Sequence, residues 1–264
     1  MTVVPIHFDV DGDVAIITID RLDAANAIDR PTADQLADAF RRFDADPSLA
    51  VAVLTGTGGK FCAGADLRAI NETALLGEES RAVRVEPEGD GPLGPTRMLL
   101  DKPVIAAVEG HAVAGGFELA LWCDLRIVAE DAVFGVYCRR WGVPLMDGGT
   151  VRLGRIVGHG RALDIILTGR AVPAPEALQI GLATRVVPPG ETLKTAVEMA
   201  HKMAGLPQGA LRSDRRSAYE QWSHELPEAL LAEYHHGMST LLTGETLAGV
   251  ARYASGAWTK DDFF

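Results

Sequence analysis

Two glycine-bearing segments, Lys60–Leu67 (KFCAGADL) and Gly110–Asp124 (GHAVAGGFELALWCD), each follow an apolar run in this chain of 264 residues. Turns of this kind present backbone N–H groups, and two of them side by side would aim two donors at one oxygen. The chemistry served is oxyanion stabilisation. When negative charge develops on a thioester or ester oxygen, fixed amides in a water-poor site lower its energy without reorganisation, by about 2.7–4 kcal/mol per donor. Glu118 lies inside the second segment, flanked by Phe117, Leu119, Ala120 and Leu121. Those apolar neighbours predict burial, and burial raises a carboxyl pKa toward general acid–base use.

The elements that must position these groups follow from periodicity and turn chemistry. Val3–Asp20 alternates apolar and polar residues around Asp11-Gly12, a type I′ hairpin signal with Val14 and Ile16 on the return strand. Leu36, Phe40 and Phe43 recur at helical spacing over Thr32–Phe43, with Asp29 or Thr32 as the cap and Pro31 in the first turn. Ala50–Leu54, Val104–Val108 and Leu125–Val128 read as short buried strands, with a helix over Gly116–Trp122. Strand and helix alternation of this kind implies parallel pairing with crossover helices, and therefore an α/β fold. Helices then dominate, over Thr150–Val157, Arg161–Leu167, Pro175–Ile180, Thr192–Ala204 and a tract from Leu211 to Tyr253. Gly158, Gly169, Gly181 and Gly205 stand as their stops. Asn71–Pro95 mixes acidic residues with Gly and Pro and keeps no period, so it is expected to be a mobile loop that roofs a pocket or a plain surface insertion. The division expected is a core over 1–190 and a helical oligomerisation region over 191–264.

Composition removes several classes. The net charge of −11, with no basic stripe, disfavours a nucleic-acid partner. The N-terminus lacks a basic and apolar leader and no apolar run is long enough for a membrane span, so no membrane partner is expected. Cys62, Cys123 and Cys138 are an odd number without CxxC or Cys/His metal spacing, which points to reduced thiols, a cytoplasmic setting and no metal site. Gly56–Lys60 (GTGGK) lacks the spacing of a phosphate loop, no GxGxxG opens a helix, and there is no GxSxG. His201, His224, His235 and His236 read as surface residues and His111 as a structural one.

FCAGADL and GHAVAGGFELALWCD, preceded by DRLDAANAID and followed by FGVYCRRWGVPLMDGGTVRL, resemble the crotonase family, also called the enoyl-CoA hydratase/isomerase family, over most of residues 8–190. The resemblance implies a spiral of ββα units with a helical C-terminal region, assembled as a homotrimer or homohexamer. It implies an acyl-CoA substrate, whose coenzyme A leaves no separate cofactor, and a stabilised thioester enolate. By position it assigns the oxyanion donors to the amides of Ala65 and Gly115, with Gly64 and Gly116 supplying permissive dihedrals beside them. It places Ala63, Asp66 and Leu67 along the path of CoA, with the Arg21–Asn26 loop against its nucleotide, and Glu118 as one of two acid–base glutamates.

The second family glutamate is expected where this chain has Cys138, after Phe134-Gly135-Val136-Tyr137. A thiol with an ordinary pKa near 8.5 is a poorer water-activating base than a carboxylate. Asp147 lies near a position where other members carry a carboxylate, and equally could cap the helix beginning near Thr150. Arg139, Arg140 and Trp141 could pair with these carboxylates or form an intersubunit surface. The function expected is hydration of 2-enoyl-CoA to 3-hydroxyacyl-CoA. The alternatives are double-bond isomerisation, for which one carboxylate suffices, and acyl-CoA binding without catalysis.

Overall fold

An apolar hairpin opens the chain: β1 (Ile6–Asp11) pairs antiparallel with β2 (Val14–Ile19), with Asp11 opposite Val14. The loop residues are therefore Gly12 and Asp13, and of these Gly12 alone has a positive φ, 60°. That is the glycine-first type II′ pattern, not the type I′ turn expected from Asp11-Gly12. The structure, a computed structural model, describes residues 4–75, 83–84 and 86–256.

Helix α1 (Arg30–Ala45) is capped by Asp29, whose Oδ1 accepts the Thr32 amide at 3.0 Å. Thr32 lies inside the helix and adds its own hydroxyl bond to Asp29 at 2.6 Å. Leu36, Phe40 and Phe43 fall on one face and are fully buried, each worth about 1.5–3 kcal/mol of apolar transfer. There follow β3 (Val51–Gly56), α2 (Leu67–Leu75), β4 (Val104–Val108), β5 (His111–Val113), α3 (Gly115–Trp122), β6 (Leu125–Ala129), β7 (Val133–Gly135), α4 (Gly149–Val157), α5 (His159–Thr168), β8 (Ala171–Pro173), α6 (Ala174–Gln179) and β9 (Arg185–Val187).

The main sheet has the order β1-β2-β3-β4-β6-β9, parallel from β2 onward. Parallel strands are covered on both faces, which is why β4 (VIAAV) is apolar and buried throughout. A second sheet, β5-β7-β8, runs parallel between its first two strands and antiparallel between the last two. Together they form the spiral of ββα units. The three-residue strands β5, β7, β8 and β9 were not expected, because so short a segment carries no measurable alternation. Gly158, Gly169 and Gly181 do end helices at positive φ. Asn71–Leu75, expected as loop, is the last part of α2; residues 76–82 and 85 of that stretch lie outside the described residues.

The chain divides into two compact units, Met1–His201 and Lys202–Phe264. Helix α7 (Thr192–Ala204) crosses the division. Glu109 caps its start, with Oε1 accepting the Thr192 hydroxyl at 2.7 Å and the Gly190 amide at 3.0 Å. The second unit holds α8 (Gln208–Glu220), α9 (Leu226–Leu241) and α10 (Glu245–Ala254). Its Glu245 carboxylate accepts the Gly209 and Ala210 amides at 3.0 Å each, satisfying the open first turn of α8. His201 bonds Asp11 and Asp13 at 3.2 Å and His236 bonds Glu220 at 2.7 Å, so both surface histidines have carboxylate partners that sequence spacing did not reveal. Among the described residues no helix is long and apolar enough to cross a membrane.

Candidate active site

The two glycine turns meet through a single parallel bridge between Cys62 and Ala112. Cys62 N donates to His111 O at 3.0 Å and Val113 N to Cys62 O at 3.1 Å. Beyond the bridge the two turns stay close, so that a Cβ built on Gly115 would lie 3.5 Å from the Cα of Gly64. A second bridge joins Ile28 to Ala65: Ile28 N donates to Gly64 O at 2.8 Å and Asp66 N to Ile28 O at 2.9 Å. In a parallel bridge the residue between those two groups turns its own N–H to the other side. Among the described residues, neither the Ala65 nor the Gly115 amide donates to a protein acceptor, and both residues line one cavity of about 240 Å³.

The backbone is held in this form by three residues with different jobs. Gly64 has φ 94°, and a Cβ there would lie 2.7 Å from the Gly115 nitrogen. Gly116, expected to supply a permissive dihedral, keeps an ordinary φ; a Cβ there would lie 2.7 Å from the carbonyl carbon of Cys62, so close backbone approach is what requires glycine. The positive φ of the second turn falls instead on Ala114, at 54° with ψ −127°. A non-glycine residue in that region costs about 1–3 kcal/mol and persists only where its surroundings enforce it. Here Ala114 N donates to Gly135 O at 2.8 Å while its carbonyl accepts Phe117 and Glu118 amides at 3.1 and 3.3 Å. The strained peptide is what delivers the next amide, that of Gly115, to the cavity.

Every residue of α3 is buried, so Glu118 is a lone carboxylate on a helix with apolar neighbours on all sides. It is 3 % exposed and lines the cavity. Its Oε1 accepts the Asp147 amide at 2.9 Å and the Gly149 amide at 2.8 Å, and the Met146 backbone adds a further hydrogen bond to the carboxylate. Burial first, then the nearby Asp147 charge, push its pKa up to about 7, against the partial relief of those amides. Asp147 is also buried in the cavity wall and its pKa is raised by burial. Its Oδ1 accepts the Leu93 amide at 2.9 Å and the Thr96 hydroxyl, and these bonds favour its charged form.

The capping role considered for Asp147 does not occur. Gly148 is the N-cap of α4, in the left-handed region and with no side-chain cap bond, and the Asp147 carboxylate turns to the 93–96 segment instead. Cys138 lines the cavity from a short 3₁₀ turn, Tyr137–Trp141, and is 5 % exposed. Burial and the Glu118 charge raise its pKa, so it stays a neutral thiol near pH 7. Ala63 and Leu67 line the cavity as expected positions do, whereas Asp66 does not. The Asp66 carboxylate caps α2 through the Arg68 and Ala69 amides at 3.1 and 3.2 Å, and pairs with Arg21 at 3.1 Å. Arg139 and Arg140 turn away from both cavity carboxylates, the first toward Ile166 O at 3.4 Å and the second over the Tyr137 ring at 4.3 Å. Trp141 is 70 % exposed at the rim. Arg84 and Leu93 face the cavity from the Asn71–Pro95 stretch expected either to roof a pocket or to be a plain insertion, whereas Val143 and Met146, which face it too, were not singled out because their segment has no periodicity.

An α/β spiral that sets two free amides and a buried carboxylate against one apolar cavity defines an enzyme that handles the enolate of an acyl thioester. The chain belongs to the enoyl-CoA hydratase/isomerase family, whose sequence profile matches residues 9–256. It is 34 % identical over 254 residues to enoyl-CoA hydratase EchA19 of Mycobacterium tuberculosis, covering 92 % of this chain and 91 % of that one. It is 32 % identical to the mevalonyl-coenzyme A hydratase sidH of Aspergillus fumigatus, over 88 % of this chain and 84 % of the relative. The crystal structure of enoyl-CoA hydratase EchA1 from Mycobacterium marinum superposes with a TM-score of 0.88 at 32 % identity, with 96 % of each chain covered.

Proposed function

We propose that the protein adds water reversibly across the double bond of a 2-enoyl-CoA. The amides of Ala65 and Gly115 hold the thioester oxygen as it gains charge, and Glu118 delivers the proton to the α-carbon. The observation that carries this reading is Glu118 itself, buried beside two unused amides with a pKa of about 7. Hydration needs one acid and one base. Two neighbouring buried carboxyl groups resist ionising together, so Glu118 keeps its proton up to about pH 7 and the pair can supply both roles. We assign the acid to Glu118 and the water-orienting carboxylate to Asp147, whose charge is supported by Leu93 N and the Thr96 hydroxyl. The names of the relatives, hydratases of enoyl-CoA and mevalonyl-CoA, agree with water addition to a CoA thioester.

Cys138 favours a second reading. With a neutral thiol where the family resemblance expects a glutamate, and with Asp147 engaged by Leu93 and Thr96, Glu118 alone would suffice for moving a double bond. Assays on 2-enoyl-CoA and 3-enoyl-CoA, following the conjugated thioester chromophore, separate the two. Asp147→Asn is expected to lower hydration by about 100-fold or more and isomerisation by much less. Cys138→Ala is expected to leave both within about threefold, because the protonated thiol is no base. Unchanged hydration in Asp147→Asn would leave the isomerase reading standing.

The reading needs no cofactor beyond the coenzyme A of the substrate, and the free, buried cysteines agree with a cytoplasmic setting. A homotrimer or homohexamer is supported by the second unit, where Leu226, Leu230, Leu231, Leu247, Val250 and Tyr253 are more than half exposed. Such a surface on a single chain marks an interaction face. Light scattering is expected to give a mass of at least three chains, and a monomer would remove this part of the proposal.

A further inference from the structure

Asp147 and Thr96 are 51 residues apart in sequence, yet they belong to one closed ring of hydrogen bonds. The Thr96 hydroxyl donates to Asp147 Oδ1, where the Leu93 amide also arrives at 2.9 Å. Arg152, near the start of α4, closes the ring from behind. Its Nη1 donates to the Asp147 carbonyl at 2.8 Å and its Nη2 to the Thr96 carbonyl at 2.7 Å. A guanidinium is a rigid planar fork, so the two carbonyls it spans are held at a fixed separation. The chain leaves room for it: Gly148 has φ 93°, and a Cβ there would fall on Arg152 Nη1, whose place those carbonyls fix.

Arg152 does not line the cavity, whereas Asp147 does. A carboxylate that orients water has to be ionised and correctly placed, and a misplacement of about 1 Å costs about 10²-fold in rate. Burial opposes ionisation of Asp147. The Thr96 and Leu93 bonds favour it, followed by the positive charges of Arg97 and Arg152. The other titratable groups facing Asp147 are Glu118 on α3, whose pKa its charge helps raise, and the Cys62 thiol, pushed up to about 12 and therefore neutral. Arg97 turns its Nη1 to Glu86 O and Asp90 O at 2.7 and 3.2 Å, while Arg152 bonds the backbone of Asp147 itself.

We propose that Arg152 is a positioning residue for water addition, which clamps the Asp147 and Thr96 carbonyls together and so holds the Asp147 carboxylate where it can orient water. It acts through Asp147 and not on the substrate. This rests on the hydration reading above and deepens it.

The test measures hydration of a 2-enoyl-CoA by Arg152→Met and Arg152→Lys, each alone and in an Asp147→Asn background. Arg152→Met is expected to lower kcat by about 10- to 100-fold with KM within about threefold. It should also move the acid limb of the kcat–pH profile, where the carboxyl pair loses its first proton, up by about one pH unit. Arg152→Lys keeps the charge without the fork, so kcat should fall by about 10-fold with the acid limb near its wild-type position. Affinity for a saturated acyl-CoA ester should stay within about threefold in both, since neither the oxyanion donors nor the cavity wall is touched. Where Asp147→Asn has already removed the carboxylate, either Arg152 change should cost less than about twofold in rate. Wild-type kcat in both variants, an equal loss with and without Asp147, or a loss of binding that matches the loss of rate would each overturn the proposal. If Arg152→Met does not fold, Arg152→Lys carries the same comparison. If Asp147→Asn hydrates as well as wild type, or no enoyl ester reacts, the hydration reading fails by itself. The Asp147 carboxyl, followed by carbon-13 NMR and recognised by its absence in Asp147→Asn, then decides on Arg152: titration at higher pH in Arg152→Met upholds the clamp, and unchanged titration sinks it.

Discussion

Replacing Glu118 with Gln is expected to lower kcat for hydration by about 10²- to 10⁴-fold, the usual worth of a positioned proton-transfer group. The amide preserves the shape of the side chain, and its carbonyl oxygen still accepts the Asp147 and Gly149 amides that hold Oε1. Affinity for a saturated acyl-CoA ester should therefore stay within a few-fold. A loss of binding equal to the loss of rate would show instead that Glu118 is structural. The same variant carries a stability signature of definite sign. The folded protein holds the Glu118 proton up to about pH 7, whereas the unfolded chain releases it near 4.5. Between those values the native state binds more protons, so wild-type stability falls as pH rises from 4.5 to 7 and then levels off, by about 3 kcal/mol in all. Gln does not titrate. Denaturant unfolding should find Glu118→Gln near wild type at pH 4 and more stable than wild type by up to about that amount at pH 8, and an equal difference at the two pH values would contradict the burial cause of the shift.

Glu118 was legible in the sequence because a carboxylate among Phe117, Leu119, Ala120 and Leu121 has no polar helix face to occupy. The two turns were legible because their glycines follow buried strands. What joins them was not: the Cys62–Ala112 bridge is one residue pair long, and a single pair leaves no periodic trace. The reasons for the glycines were read only half correctly. Gly64 needs its dihedral, but Gly116 answers to the carbonyl of Cys62, a contact that exists only after folding. Asp147 was left between a catalytic and a capping role for a related reason. Asp followed by Gly-Gly-Thr carries the local signal of a helix cap, yet Gly148 takes the cap position and the carboxylate bonds to Leu93, 54 residues earlier. Arg84 lay in a stretch without pattern, and only the fold shows that its partner is Asp34 on α1. Local chemistry is thus written in the sequence, whereas the partners that tune it come from segments far apart in the chain.

Gly64→Ala should do the most damage for the least added volume. The new methyl would sit 2.7 Å from the Gly115 nitrogen, 3.0 Å from Ala114 Cβ and 3.2 Å from Val113 O, between the two donor turns. Two of these neighbours are backbone atoms, fixed by the Cys62–Ala112 bridge and the start of α3, so relief comes by spreading the turns. Misdirecting one donor is expected to lower kcat by about 10²- to 10³-fold, and the positive φ of 94° adds about 1–3 kcal/mol of destabilisation. Gly59 separates these effects. It also has a positive φ, 68°, but a methyl there meets nothing within 4 Å. Gly59→Ala should therefore lose stability by a similar dihedral penalty while kcat stays within about twofold. Equal kcat values for the two variants would mean that the spacing of the Ala65 and Gly115 amides does not set the rate. A large fall confined to Gly64→Ala would tie catalysis to the distance between two peptide groups, with no side chain of either donor residue involved.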